Sequence, residues 1–284
     1  MSKRILILGS AGMAGHVIYE YFSAQQSFLV ESTARSAVND STFTLDATSD
    51  SKIREVLDIT TPDIVINCIG ALVSQAEQDP ESAVRLNSLL PHYLSKLGNT
   101  LGFRLIHIST DCVFSGKKGN YIECDFRDGD TTYARTKAIG ELVNNRDITI
   151  RTSIVGPELK SNGTGLMDWF LKQRSSVTGF SGVFWSGVTT LELAKAIHYA
   201  IDKGVTGLVH LCPNEKISKA DLIRIFSKTW RRSIAINDDD SYVSDKSLVN
   251  TRNDWTFATA DYEKMVVELK EWMERFPERY SHYI

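Results

Sequence analysis

Six short runs rich in β-branched and aliphatic residues punctuate the chain: Arg4–Leu8, Phe28–Thr33, Asp63–Cys68, Arg104–Ser109, Ile148–Thr152 and Gly207–Leu211. They are near-continuous apolar runs rather than alternating ones. Strands of that kind are covered on both faces, as in a parallel sheet. Amphipathic stretches separate them, and several carry readable ends. Asp79-Pro80 sets a capping side chain before a proline at the first helical position, opening a helix that runs toward Gly98. Thr189 and Glu192 have capping-box spacing, and the helix they open closes at Gly204. Strand and helix in regular alternation predict an α/β fold built on a doubly wound parallel sheet.

The rhythm breaks between residues 156 and 186, where Gly156, Pro157, Gly163, Gly165, Gly179, Gly182 and Gly187 crowd around Trp169, Phe180, Phe184 and Trp185. After Pro213 come two more helical stretches, Lys219–Trp230 and Asp261–Phe276, around a polar segment containing Asp238-Asp239-Asp240 that reads as a solvated loop. The expected division is therefore a main domain of residues 1–155, continued by about 186–212, and a smaller C-terminal lobe of residues 156–185 and 213–284. No repeat of fixed period and no low-complexity linker interrupts it.

Composition narrows the class. The 284 residues are 42% hydrophobic and 24% charged, which excludes disordered, collagenous and disulfide-stapled classes. A net charge of −3 gives no electrostatic footprint for nucleic acid. No apolar run reaches the roughly 20 residues of a membrane helix, and the start lacks the long apolar core of a signal peptide. Cys68, Cys112, Cys124 and Cys212 show no metal-type spacing, and the six histidines are scattered. A cytoplasmic protein with reduced thiols and no metal is expected.

Gly9-Ser10-Ala11-Gly12-Met13-Ala14-Gly15 follows the first strand directly and opens a helix at His16. Glycines at 9, 12 and 15 allow a tight turn and close approach of backbone to a pyrophosphate, with Ala11 and Met13 in the same turn. The helix N-terminus then offers unpaired amides and the positive end of its dipole. Between a strand and a helix this pattern predicts dinucleotide binding on a Rossmann-type sheet. Arg35 and Ser36, just beyond the second strand, suit a 2′-phosphate, so NADPH is favoured, with NADH the alternative through a carboxylate such as Glu31. Leu45-Asp46-Ala47 reads as a short strand whose Asp46, beside Ala47, would accept from an adenine amino group.

Ser109-Thr110-Asp111 ends a strand at the sheet's carboxyl edge, where such folds place ligands. Tyr133 and Lys137, four apart, share one helical face. An ammonium near a phenol lowers its pKa toward working pH and makes it a proton donor to a carbonyl oxygen. Tyr199…Lys203 and Tyr242…Lys246 have the same offset, but neither follows a Ser-Thr-Asp strand end.

Taken in order, Gly9/Gly12/Gly15, Asn67-Cys68-Ile69-Gly70, Ser109-Thr110-Asp111-Cys112-Val113-Phe114, Tyr133-x-x-x-Lys137 and Arg151-Thr152-Ser153 resemble an extended short-chain dehydrogenase/reductase. The run from Ser109 to Gly116 is most similar to the dTDP-4-dehydrorhamnose reductase branch. The resemblance implies that Thr110 hydrogen-bonds the substrate carbonyl, Tyr133 is the general acid, and Lys137 holds the nicotinamide ribose and tunes Tyr133. The chemistry it implies is NADPH-dependent reduction at C4 of a nucleotide-linked 4-keto-6-deoxyhexose, feeding a deoxysugar of a surface polysaccharide. Asp111 would contact that substrate, the aromatic stretch ending at Trp185 would wall it, and Arg252 would grip its pyrophosphate. Asn87 and Pro91 also match the family and read as structural, Pro91 kinking its helix. Two departures stand out. Ala134 replaces the usual glycine after the tyrosine, and Cys112 stands where dehydrating relatives carry glutamate, which counts against dehydratase chemistry. A nucleotide-sugar epimerase and a non-catalytic, cofactor-binding regulatory subunit are the competing readings, and the sequence leaves a homodimer open.

Overall fold

A computed structural model describes residues 2–36 and 42–283. Its first half builds one side of a sheet and then the other. Strand β1 (Lys3–Leu8) leads to helix α1 (Met13–Ser23), β2 (Phe28–Ala34), β3 (Thr42–Thr44), α2 (Asp50–Thr60) and β4 (Ile64–Asn67). Helices α3 (Val73–Gln78) and α4 (Pro80–Ala83), a π-helical stretch Val84–Leu89 and α5 (Leu90–Leu101) then precede β5 (Arg104–Thr110). Helix α6 (Thr132–Ile139), β6 (Ile148–Thr152) and β7 (Ile154–Val155) follow. The rest comprises α7 (Leu166–Leu171), β8 (Val177–Phe180), β9 (Val183–Trp185), β10 (Val188–Thr189), α8 (Thr190–Lys203), β11 (Gly207–His210), β12 (Ile217–Ser218), α9 (Lys219–Thr229), β13 (Ile236–Asp239), β14 (Ser244–Asp245) and α10 (Tyr262–Met273).

Seven strands form one sheet in the order β11-β6-β5-β4-β1-β2-β3, and every pairing is parallel. The doubly wound architecture read from the apolar runs is the observed one. The reason is visible in β1, whose residues alternate between two buried layers. Ile5 and Ile7 join Ile18, Phe22 and Leu193 on the α1/α8 face, while Leu6 and Leu8 join Ile53, Leu57, Leu90 and Leu94 on the α2/α5 face. A strand buried on both faces has no polar positions to spare. The order of strands reverses between β1 and β4, so a crevice opens at their carboxyl ends.

The smaller elements carry β12-β9-β14 and β13-β8 ladders, packed with α7, α9 and α10 around Phe170, Trp185, Phe226 and Trp272. The last turns return to α1. There His16 bonds Gly12 O through Nδ1 (2.8 Å) and the Tyr280 hydroxyl through Nε2 (2.8 Å). Among the described residues no helix is long and apolar enough to cross a membrane.

Four local expectations need correction. The helix from Pro80 is not continuous: its hydrogen bonding widens to π over Val84–Leu89, just before Pro91 in the first turn of α5. Thr189 caps α8 by accepting from Glu192 N (3.2 Å), but Glu192 does not return the bond. Its carboxylate instead takes Lys195 and Ala260 N (3.0 Å), so only half a capping box forms. The short third strand is Thr42–Thr44, and Leu45-Asp46-Ala47 leaves the sheet after it. Asp238 and Asp239 are not in a loop but in β13, paired with β8, where Arg224 neutralises Asp238 (2.7 Å).

Phe22 lies fully buried beneath α1, edge-on to Phe28 at 5.1 Å and beside His198 at 5.6 Å. Phe22→Ala should destabilise the protein by about 3–5 kcal/mol, read as a lowered urea midpoint at unchanged m-value.

Candidate active site

The glycine turn is built for close approach. Gly9 has φ +84°, a region that side chains disfavour, and Gly9 N reaches across to Thr33 O (3.0 Å). A Cβ on Gly15 would lie 2.2 Å from Gly9 O, so α1 can pack on the turn only through glycine. Gly12 caps α1 without a side chain, and no acidic residue stands in the first turn. Gly12 N donates back to Gly9 O (3.1 Å) and closes the turn, and the exposed start of the helix is unscreened by any carboxylate of its first turn. That is a cradle for a pyrophosphate, and the residues present fit one. Met13 forms its far wall: its methyl sits where a Cβ on Gly165 would be, 2.6 Å away.

The end of the second strand presents a cation outward. Thr33 stands beside Gly9 there, Arg35 and Ser36 follow it and are exposed, and Glu31 lies back in the strand under the charge of Arg4. Asp46 is exposed within the electrostatic reach of Arg35, and two hydrogen bonds from Thr48 (2.9 and 2.7 Å) hold its carboxyl below the usual range. Ala47 is half-buried beside it.

Helix α6 carries the chemical groups and is pinned at both ends. Thr131 caps it by accepting from Ala134 N (3.1 Å), and Thr132 donates through N and Oγ1 to Glu77 (2.8 and 2.9 Å). Asn87, fully buried, bridges Ala71 to Thr136 Oγ1 (3.1 Å), and Ser88 Oγ donates to Thr136 O (2.8 Å). Gly140 closes the helix so tightly that an added Cβ would reach Asn87 O at 1.9 Å. The π-helical stretch thus serves as the seat of α6, with Asn87 bonded to both Ala71 and Thr136.

On that helix Tyr133 packs against Ala71, Ala76 and Ala83, close enough to the Thr110 hydroxyl for that group to influence its ionisation. Lys137 donates from Nζ to Ile108 O (2.7 Å). Thr110 Oγ1 donates to Asp111 Oδ1 (3.2 Å) and accepts from Cys112 N (3.1 Å). Thr110, Tyr133 and Lys137 therefore converge on the carboxyl end of β5, two strands from the glycine turn.

Burial raises the Tyr133 pKa, and the Thr110 hydroxyl draws it the other way. Burial also brings Lys137 down to about 8, opposed chiefly by the Glu141 carboxylate. Desolvation raises Asp111 against the pull of two ammoniums, Lys219 and Lys246, and pushes the neighbouring Cys112 thiol up to about 11.

Behind the site, Arg151 is buried in a bidentate pair with Glu141 (2.7 and 2.6 Å), and Ser109 Oγ donates to the same carboxylate (2.7 Å). Glu141, Lys219 and Lys246 are the contributors that sequence reading missed. Glu141 had a signal, since it continues the four-residue step from Tyr133 through Lys137. The two lysines had none.

Two expected residues take other places. Arg252 is not brought to the site. Its guanidinium donates to Thr206 O (2.6 Å) and Leu208 O (3.2 Å) at the amino edge of β11 and pairs with Asp254. Trp185 is only 2% exposed, with Lys219 Nζ 5.6 Å above its ring. It is a floor beneath the lysine, not an open wall. Tyr199 bonds Thr256 (2.8 Å) with Lys203 over its ring, on a helix that meets the amino end of β5 through Arg104 and Ala200 O, and Tyr242 is exposed.

Comparison with known proteins places this geometry. The family model described as the RmlD substrate binding domain matches residues 3–244. A dTDP-4-dehydrorhamnose reductase of Mycolicibacterium smegmatis is 33% identical over 144 residues, a match covering 50% of this chain but only 41% of the relative. A dTDP-4-keto-6-deoxy-D-glucose reductase of Streptomyces niveus is 25% identical over 232 residues, covering 79% of this chain and 78% of the relative. Among solved structures, a dTDP-4-dehydrorhamnose reductase of Bacillus anthracis in complex with NADP shares the fold, with a TM-score of 0.81 over 96% of this chain and 99% of that one, at 19% identity.

Gly15→Ala tests the cradle. Its Cβ has no room against Gly9 O, so NADP(H) affinity measured by calorimetry should fall at least about tenfold, whereas Gly204→Ala, with open space around it, should leave affinity intact.

Proposed function

Because the chain belongs to the RmlD substrate binding domain family, we propose that it is a nicotinamide-dependent reductase of a nucleotide-linked 4-keto-6-deoxyhexose, working with NADPH and supplying a deoxysugar for a surface polysaccharide. The observation that carries this reading is the convergence of Thr110, Tyr133 and Lys137 at the carboxyl end of β5, on the same edge of the sheet as the glycine turn after β1. In this reading residues 1–155 and 186–212 hold the coenzyme, and residues 156–185 with 213–284 hold the sugar nucleotide.

Gly9, Ala11, Gly12, Met13 and Gly15 would seat the pyrophosphate, Arg35 with Ser36 the 2′-phosphate, and Asp46 with Ala47 the adenine. A bound dihydronicotinamide would supply the hydride. Lys137 would hold the nicotinamide ribose from its place under Ile108 O. Thr110 would hydrogen-bond the sugar's C4 carbonyl oxygen, and the Tyr133 phenol would give that oxygen its proton as the carbonyl becomes an alcohol.

The raised Tyr133 pKa favours this direction. A reductase needs its acid loaded, and a buried phenol stays protonated across the neutral range. The negative charge that hydride arrival builds on the sugar oxygen makes that oxygen a strong base, which drives the proton transfer from the phenol.

Incubation with NADPH and a panel of dTDP-, UDP- and GDP-linked 4-keto sugars should oxidise the cofactor with at least one; no oxidation with any refutes the reading. Tyr133→Phe should cost about 10²–10⁴-fold in turnover with NADPH affinity nearly intact, and unchanged turnover refutes the role given to the phenol. The pH dependence has a definite sign. Lys137 in the folded chain is charged below about 8 and loses its proton above it. The value of kcat/KM for NADPH, which reports the free enzyme, should therefore be level near neutrality and fall as pH rises through about 8.

A further inference from the structure

Two lysines of the C-terminal elements meet the reacting end of β5. Lys219 follows β12 directly, and Lys246 follows β14 directly. Both strands pair with β9, Ser218 and Asp245 lying opposite Phe184 on its two sides, so the lysines flank the strand that carries Trp185. Lys219 Nζ stands 5.6 Å over the Trp185 ring. The stem of Lys246 passes where a Cβ on Gly116 would be, 3.1 Å away, in the loop after β5. Both ammoniums act electrostatically on Asp111, which is buried and bonded to Thr110.

The charges do not balance. One carboxylate serves two ammoniums, and among the described residues neither lysine is in an ion pair, whereas neighbouring Lys216 has one with Asp245. Burial, with a smaller push from Lys246, lowers the Lys219 pKa, and an arriving anion would favour its charged form. On the same strand the Trp185 indole N–H is buried without an acceptor, a costly state for a donor. The surplus is thus positive, lies beside the residues that handle the ketone, and belongs to the elements expected to hold the sugar nucleotide.

We propose that Lys219 and Lys246 seat the diphosphate of the nucleotide-linked sugar, with Asp111 holding the pair in place while the seat is empty. The proposal rests on the function proposed above and moves the pyrophosphate contact from Arg252 to these two side chains. A diphosphate is the fitting class of anion. It carries more than one negative charge, which two point-charge ammoniums can share, and in a nucleotide sugar it lies one hexose ring away from the reacting carbonyl.

Calorimetric titration of dTDP, UDP, GDP and CDP into the NADP⁺-loaded protein tests the seat without requiring turnover. At least one should bind, Lys219→Gln and Lys246→Gln should each weaken it about tenfold, and Lys216→Gln should leave it unchanged. Lys219→Arg and Lys246→Arg, which keep the charge, should retain binding to within a few fold. Unaltered NADP⁺ affinity in the glutamine variants confirms that they fold. Glutamine variants that bind as the parent does, or a parent that binds none of the four nucleotides, overturn the proposal. Cofactor oxidation with the 4-keto sugar panel is a separate readout, so a failed diphosphate seat with intact turnover spares the reductase reading.

Discussion

The buried pair of Arg151 and Glu141 is the interaction on which the candidate site hangs. Taking two charges out of water costs several kcal/mol per ion, and such a pair is tolerable only when its remaining hydrogen-bonding positions are filled. Here they are filled completely enough to tie four elements together. Arg151, on β6, gives Glu141 a bidentate contact, and Ser109 of β5 adds a third bond to that carboxylate. The remaining Arg151 Nη1 donates to His210 Nε2 on β11 (2.7 Å). That bond makes Nε2 the acceptor, so His210 must carry its proton on Nδ1, from which it donates to Val249 O (2.9 Å). Burial and the adjacent guanidinium bring His210 down to about 4, so the ring stays neutral and compatible with its neighbour. Phe114 closes the network with its ring 4.9 Å from the guanidinium.

The position of Glu141, two residues past the end of α6, turns this network into an alignment device. The helix is fixed at its start by Glu77, along its flank by Asn87 and Ser88, and just beyond its end by Glu141. With three anchors it has no freedom to roll, so the directions of Tyr133 and Lys137 are set by groups that never touch a ligand. Glu141 also acts at a distance on the charge of Lys137, which burial would otherwise discharge further. Position and protonation state are thus controlled by the same carboxylate.

This division explains what could be read from the chain. Four of the five residues of β6 are β-branched, so Ile148–Thr152 was legible to the residue even though the strand buries Arg151. Gly204 marked a helix end because only its left-handed conformation (φ 67°) closes α8 there. Tyr133, Lys137 and Thr110 were legible because their spacing and their place after a strand are local facts. Pairing over long range is not local. Asp238 and Asp239 look like a loop until β8, some 60 residues earlier, supplies a partner strand. Lys219 and Lys246 look like surface cations until β9 gathers β12 and β14 around Trp185. Arg252 misled for the opposite reason. An arginine in a polar stretch suits a phosphate, but the carbonyls of β11 lie within its reach and take the guanidinium.

Electrostatics also limits what the site can do beyond reduction. Removing the sugar 6-hydroxyl needs a group that takes a proton next to the reacting ring, and the position where dehydrating relatives carry glutamate holds Cys112. Its thiol is pushed up to about 11 by burial and by Asp111 beside it, so it is neutral at working pH and unable to act as a base. Asp111 is ionised only at a cost that the two lysines offset, and its Oδ1 is occupied by Thr110. What burial leaves around Tyr133 is a phenol held in its protonated form, the Thr110 hydroxyl and two lysine ammoniums. In the proposed reaction that set would give a proton to the ketone oxygen as hydride arrives, which is the demand made by reduction of a ketone.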